Sequence, residues 1–400
     1  MNKIKERFSP EYLDKGIYWS FLIMGFSVFV SSALAHNAMR MALILGIIRI
    51  VLNPEILKKI KKYKGFFITM GAFAAMMYAS AVYGGDFWEA VHSENIRYNY
   101  QMLGTFAVCL FIHEKEKLLN ILCASFLSLL ATDFLILWKA FHGEIYTTGF
   151  FYGYRYAWTA FMYTITLPPM MAYVLYHKME TNKRLLWMGI IILSAAALLI
   201  NGVRGAWIAV FPIMAAMIVY RIRDIKKLVM IFGIIAVCLG GIMYSVPGFQ
   251  ARLMTIGDVQ DHSQAQRFLF WQSATKMFLD YPVFGVGIPN YAPLYQTKYM
   301  SPLADEPWID HAHNNFFQFL AEEGAIGASL YVIMIGYCLR WAWKRKENPF
   351  GLMALATTGA LVIHSMSDYT WTMFVDMRLY WVLLGIGIRG VELTQPELLK

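Results

Sequence analysis

The 400-residue chain predicts an all-α polytopic membrane protein, on three observations. Hydrophobic residues make up 58% of it and charged residues 15%, against roughly 45–50% and about 25% in a soluble domain. Apolar runs near the length needed to span a bilayer, about 20 residues, recur along the whole chain. Lys and Arg collect in alternate connections between those runs, the bias that marks cytoplasmic loops. The net charge of +9 is accounted for by such loops, so nucleic acid is not implied as a partner.

The runs fall at 16–34, 37–52, 65–84, 99–113, 118–140, 155–176, 185–200, 204–220, 228–245, 315–339, 350–367 and 372–388, about twelve transmembrane helices. Lys3, Lys5 and Arg7 precede the first, and Ala33-Leu34-Ala35 looks like a cleavage site. The run is longer than the roughly 7–15 residues of a signal segment, so it reads as a retained span. With the N-terminus inside, the basic clusters Lys58–Lys64, Lys115–Lys117, Lys178–Arg184, Arg221–Lys227 and Arg340–Lys346 all face the cytoplasm. The acidic 86–94 loop falls outside, and both termini are cytoplasmic. Several basic residues break the rule, among them Arg40, Arg49, Arg97, Arg155, Arg204, Arg267 and Arg378. Charges there are costly without a partner or a task.

The expected organisation is one membrane domain over 1–400, with 246–313 as a large outer loop between the ninth and tenth spans. That loop is rich in aromatics, including Trp271, Tyr281, Tyr291 and Trp308. It reads as short helices laid on the outer membrane surface. A split of nine spans and three does not give the equal halves of a repeat-built transporter. Cys109, Cys123, Cys238 and Cys338 sit in apolar runs without C-x-x-C spacing and read as small core residues.

Polar residues concentrate at 311–327, His-Ala-His-Asn-Asn-Phe-Phe-Gln-Phe-Leu-Ala-Glu-Glu-Gly-Ala-Ile-Gly. His313 is expected in the first turn of the tenth span, where the positive helix end keeps an imidazole neutral, as a base must be. His311 with Asp305, Glu306 and Asp310 invites a metal. However, residues two apart do not share a helix face, and nothing completes a zinc set, so no metal is expected. Arg204 lies at the tip of an outer hairpin between flexible glycines, where guanidinium suits phosphate oxygens. Arg267 leads an apolar stripe with Trp271, Ala274 and Phe278 at helical spacing. His364 and Asp368, four apart, read as a hydrogen-bonded pair on one helix face. The isolated Gly285-Val286-Gly287 does not make a nucleotide fingerprint.

Together these residues resemble the O-antigen ligase and polymerase family of bacterial envelope glycosyltransferases, most closely the O-antigen ligases. The ligase signature is His, then Asn/Ser/Gln, nine residues, then G-x-x-G. His313, Asn314, Gly324 and Gly327 fit it. An arginine leading an aromatic helix into Pro-x-x-Gly-x-Gly is matched by Arg267, Trp271, Pro282, Gly285 and Gly287, and the arginine hairpin by Arg204, Gly205 and Ala206. Val203 departs from the usual Ser, and Ile288-Pro289-Asn290 from the usual Gly-Asn.

The resemblance implies a GT-C-like fold in the bacterial inner membrane, with its active site facing the periplasm. It implies transfer of a glycan from undecaprenyl pyrophosphate to a hydroxyl of lipid A–core, metal-independent and inverting, without a cofactor. His313 would be the base and Arg204 and Arg267 the pyrophosphate ligands. His311, Asn314, Arg40, Arg155, Asp310 and Glu322 would support them, with Glu322, Glu323 or Asp310 orienting the imidazole. The sibling activities are O-antigen polymerase and protein O-oligosaccharyltransferase. A transporter of lipid-linked sugar is the reading from another class.

Overall fold

The computed structural model describes residues 9–144, 156–245, 249–256, 258 and 261–399, and every regular element among them is helical. Apolar segments in lipid must satisfy their backbone internally, and helices do so within one segment. The protein is a polytopic, all-helical membrane protein.

Helix α1 (Pro10–Ser27) starts with Ser9 accepting the Tyr12 N–H and Pro10 in the first turn, a favoured start. The chain turns at 28–31, and Ser31 caps α2 (Ser32–Leu52). The expected run 16–34 is therefore divided between two helices, because Ser31 offers a cap inside it. After a 3-10 segment (Pro54–Tyr63) come α3 (Lys64–Tyr83), α4 (Phe87–His92) and α5 (Glu94–Arg97). The expected span 99–113 is also corrected: it is a 3-10 turn followed by α6 (Leu103–Phe111). Nine residues reach about 14 Å, half of the hydrocarbon thickness of about 30 Å.

Next come α7 (Lys115–Phe141), α8 (Tyr156–Tyr176), α9 (Thr181–Asn201), α10 (Arg204–Arg221) and α11 (Ile225–Ser245). The long connection carries α12 (Phe249–Met254), α13 (His262–Asp280) and α14 (Tyr291–Leu294). Finally α15 (Asn315–Trp343), α16 (Pro349–Ser365) and α17 (Phe374–Thr394) close the bundle. Among the described residues, six helical stretches are long and apolar enough to cross a membrane: Ser32–Leu52, Pro54–Tyr83, Lys115–Phe141, Thr181–Asn201, Arg204–Arg221 and Asn315–Trp343. Pro349–Ser365 is apolar but shorter.

At the centre, α16 packs against α8, α10, α15 and α17, while α17 lies on α6 and α3 on α15. Asp133 in α7 is fully buried and accepts hydrogen bonds from Tyr163 (2.8 Å) and Ser194, joining α7, α8 and α9. Helix α11 lies at the margin with Val229, Met230, Ile234 and Val237 exposed. Cys238 is exposed with it, so of the four cysteines this one is not a core residue.

The 262–312 connection has its own apolar cluster, including Phe270, Met277, Tyr291 and Tyr295, closed from below by Ala321 of α15. Helix α13 packs along α15, so this layer is fastened to the span that follows it.

Candidate active site

Helix α15 begins at an Asn314 cap whose side chain accepts the N–H groups of Phe316 and Phe317. It is interrupted at Gly324, with φ 65 and ψ −162, a conformation that glycine alone adopts readily. The 282–287 turn fills the break. Val286 and Gly287 donate to the carbonyls of Ala321 and Glu322 at 2.9 Å, and Ala325 donates to the Pro282 carbonyl at 2.9 Å. Backbone groups that the kink would orphan are thus paired. The approach leaves no room for side chains: a Cβ on Gly285 would stand 2.4 Å from the Glu322 carbonyl carbon. Because α13 runs into this turn, the clasp fixes Arg267 relative to the start of α15.

His313 lies just before the Asn314 cap, not in the first helical turn as expected. Its φ of 49 is left-handed, a conformation uncommon for a residue with a Cβ. Its Nδ1 is 3.1 Å from Asp368 Oδ1, its ring stacks on Phe270 at 5.8 Å, and its N–H donates to His311 Nδ1 at 3.1 Å. A carboxylate beside Nδ1 holds the proton there and leaves the Nε2 lone pair outward. Among the described residues nothing hydrogen-bonds that nitrogen.

Asp368 sits in the turn after α16. Burial works against its charge, but the His313 hydrogen bond and the charges of His313, His311 and Arg267 outweigh it, holding the carboxyl well below its usual range. For His311, burial, the neighbouring His313 and Arg267 depress the imidazole to about 4, against the pull of Asp310 and Asp368. His311 is therefore a neutral acceptor at neutral pH.

The carboxylate facing His313 is Asp368, not Glu322, Glu323 or Asp310. Asp310 Oδ1 stands 3.5 Å from His311 Nε2 instead. Glu322 accepts from the Tyr291 N–H and from Asn95 Nδ2, each at 3.1 Å, and Glu323 is buried against Gly327. The expected His364–Asp368 pair does not form in the side chains. Helix α16 ends at Ser365, so helical spacing stops short of Asp368. The His364 Nδ1 meets Thr164 Oγ1 at 2.7 Å instead. The sequence did carry a signal for Asp368: a carboxylate closing an apolar run needs a partner.

The two assigned arginines differ. Arg204 is buried, with Nη2 donating to Asp261 (2.8 Å) and Nη1 to the carbonyl (3.1 Å) and hydroxyl (2.5 Å) of Thr255. Asp261 caps α13, so Arg204 holds down the helix that carries Arg267. The next residue, Gly205, packs on Ser367, whose Oγ would be 2.3 Å from a Cβ there, one residue from Asp368. Arg267 is half-buried and makes no ion pair or hydrogen bond among the described residues, and its charge reaches Asp368 and His311.

The buried stripe of α13 is Gln266, Phe270, Ala274 and Met277, one residue round from the expected Arg267, Trp271 and Phe278. The reason is Trp271, which leaves the core side to stack on Phe317 at 5.2 Å. Asn314 is a helix cap that also donates to the Met366 carbonyl at 2.9 Å. Arg40 groups with His36, away from His313, and Arg155 lies outside the described residues.

One ligating atom from each of His311, His313 and Asp368 lies within 4.8 Å of the others, so a metal has three donors within reach. Two of those contacts are already spent on hydrogen bonds, His313 N–H to His311 and His313 to Asp368, and a metal would have to replace them.

The site thus defines a class: a helical membrane protein with an imidazole–carboxylate pair and, at the same end of its bundle, a guanidinium that pairs with nothing among the described residues. Residues 189–332 match the family model described as O-antigen ligase. The match takes in Arg204, Arg267, His313 and both glycine motifs. No curated protein matches the chain.

Proposed function

We propose that the protein is a glycosyltransferase that moves a glycan from undecaprenyl pyrophosphate to a hydroxyl of lipid A–core, by inversion and without a metal. The observation that supports it is the His313–Asp368 contact at 3.1 Å, beside an Arg267 that pairs with nothing described. His313 Nε2 takes the acceptor hydroxyl proton as its oxygen attacks the anomeric carbon. The bond from that carbon to the phosphate oxygen breaks, and the pyrophosphate leaves with the electron pair. A good leaving group of this kind needs charge stabilisation more than a proton. Arg267 supplies a fork matched to phosphate oxygens. Arg204 supports the same end through Asp261, and joins the pyrophosphate directly if that carboxylate is displaced. A GT-C-like arrangement and a periplasm-facing site in the inner membrane belong to this reading, with both termini cytoplasmic and 246–313 as a periplasmic subdomain.

The test is purified protein with an undecaprenyl-pyrophosphate glycan and a choice of acceptors, with and without EDTA. Transfer to lipid A–core that survives EDTA supports the reading. Extension of the donor glycan alone makes the protein a polymerase, and transfer to a protein hydroxyl makes it an oligosaccharyltransferase. A loss on chelation that Mg²⁺ or Zn²⁺ restores overturns the metal-free mechanism.

A further inference from the structure

Asp368 lies past the end of α16, just before a short 3-10 turn over Thr370–Thr372. A carboxylate outside a helix keeps its aim only if its neighbours are held. Tyr369 is the neighbour in question. Its N–H donates to Asp368 Oδ1 at 2.8 Å, the same oxygen that faces His313 Nδ1. Its ring packs 5.5 Å from His311 and 5.9 Å from Phe319, and the residue is buried. Tyr369 therefore touches both partners of the base, Asp368 through its backbone and His311 through its ring.

What holds the tip of Tyr369 comes from a distant segment. Its hydroxyl donates to Asn95 Oδ1 at 3.2 Å. Asn95, in the short α5, donates in turn from Nδ2 to Glu322 Oε2 at 3.1 Å. The other Glu322 oxygen accepts the Tyr291 N–H at 3.1 Å, so Asn95 is joined to the carboxylate that also holds the aromatic layer. A carboxamide donates at one end and accepts at the other, as a bridge from a phenol O–H to a carboxylate requires. A second tie runs alongside, with Trp371 Nε1 donating to Asn99 Oδ1 at 3.2 Å. Asn315 of α15 accepts the Thr370 N–H at 2.8 Å and donates to its hydroxyl at 3.0 Å. The turn is thus fastened at three successive residues, and the Asn95 tie is the one that reaches the ring beside His311.

We infer that Asn95 is a positioning residue: through the Tyr369 hydroxyl it holds Asp368 and His311 in place around His313. Its effect on rate rests on the proposed transfer, but the setting of His313 is measurable without transfer. The full-length protein is purified in nanodiscs as wild type, Asn95→Ala, Asn95→Asp, Tyr369→Phe and Asp368→Asn, with the first and third changes also made on Asp368→Asn. Transfer kinetics are measured on each. So is the rate at which diethylpyrocarbonate modifies His313 at about pH 8, above the ordinary imidazole pKa, read by peptide mass spectrometry. Asn95→Ala and Tyr369→Phe are expected to lower kcat about tenfold while the KM values for donor and acceptor stay within about twofold, since the fault is in orientation and not in binding. Asn95→Asp keeps an acceptor for Tyr369 but sets two carboxylates face to face, and should lose at least as much. Because the effect passes through Asp368, either change should cost nothing further on Asp368→Asn, whereas a merely structural residue would lower both backgrounds alike. Modification of His313 should slow toward the rate in Asp368→Asn. Tyr369→Phe removes a single oxygen and gives the same test should Asn95→Ala not fold. Equal modification of His313 in wild type and these variants, or an additive loss of kcat, overturns the inference, and transfer by wild type then still supports the ligase reading. Slowed modification in a protein that transfers to no acceptor leaves Asn95 in this role and removes the ligase reading.

Discussion

Two histidines at one end of the bundle keep opposite company. His313 faces a carboxylate at 3.1 Å, and His36 stands among guanidiniums, receiving Arg378 and Tyr100 on one nitrogen. The first arrangement fixes a tautomer and leaves a lone pair for proton transfer. The second uses the imidazole as a hydrogen-bond acceptor that spaces positive charges. The ring is the same in both, so the partner sets the role. Chemistry is expected at the first site, while the second ties α2 to α17 and to the 99–102 turn.

The largest effect should come from the first site. His313→Ala is expected to lower the transfer rate about 10²–10⁴-fold, the usual contribution of a general base, with membrane insertion unchanged. Residual activity near wild type would assign the proton to another group. Asp368→Asn should follow, with kcat down about 100-fold or more, because the amide no longer enforces the tautomer. If kcat holds and only the acceptor KM rises, Asp368 serves acceptor binding and not the tautomer of His313.

Arg267→Lys should cost about tenfold or more in kcat/KM for the donor, since a point charge loses the bidentate fork. Arg204→Lys should instead lower thermal stability, because Arg204 ties Thr255 and Asp261 together. Equal losses of activity without a stability change would make both arginines direct pyrophosphate ligands.

The smallest effect is on stability against pH. A depressed folded-state pKa lends stability that is present above the unfolded value and lost as pH falls toward the folded one. For His311, at about 4 when folded, the loss runs downward from about 6.5. The lowered Asp368 carboxyl adds its loss only below about 4. Wild type should therefore lose Tm between pH 7 and 5 more steeply than His311→Asn, while Asp368→Asn tracks wild type over that interval.

Much of this was legible in the sequence. Apolar length and loop charge are local properties, and they located the bundle and the stretches that hold it. His313, Arg204 and Arg267 stood out because polar groups at membrane depth need a reason to be there. What failed was contact between distant segments. Asp368 was assigned to His364 because spacing of four means one face only while a helix continues, and α16 stops at Ser365. The stripe on α13 was read one residue out because Trp271 prefers a stacked partner on another helix. The tie from Arg204 to Asp261 spans 57 residues, beyond the reach of local spacing.

The kink at Gly324 has a practical consequence for engineering. Its missing backbone partners are supplied by 282–287, so each segment is the other's template and neither is a transferable module. A chimera that exchanges the outer connection between two such proteins, to alter donor choice, has to carry the opening turns of the following helix with it. Cut between them, both halves would be left with amides and carbonyls facing nothing.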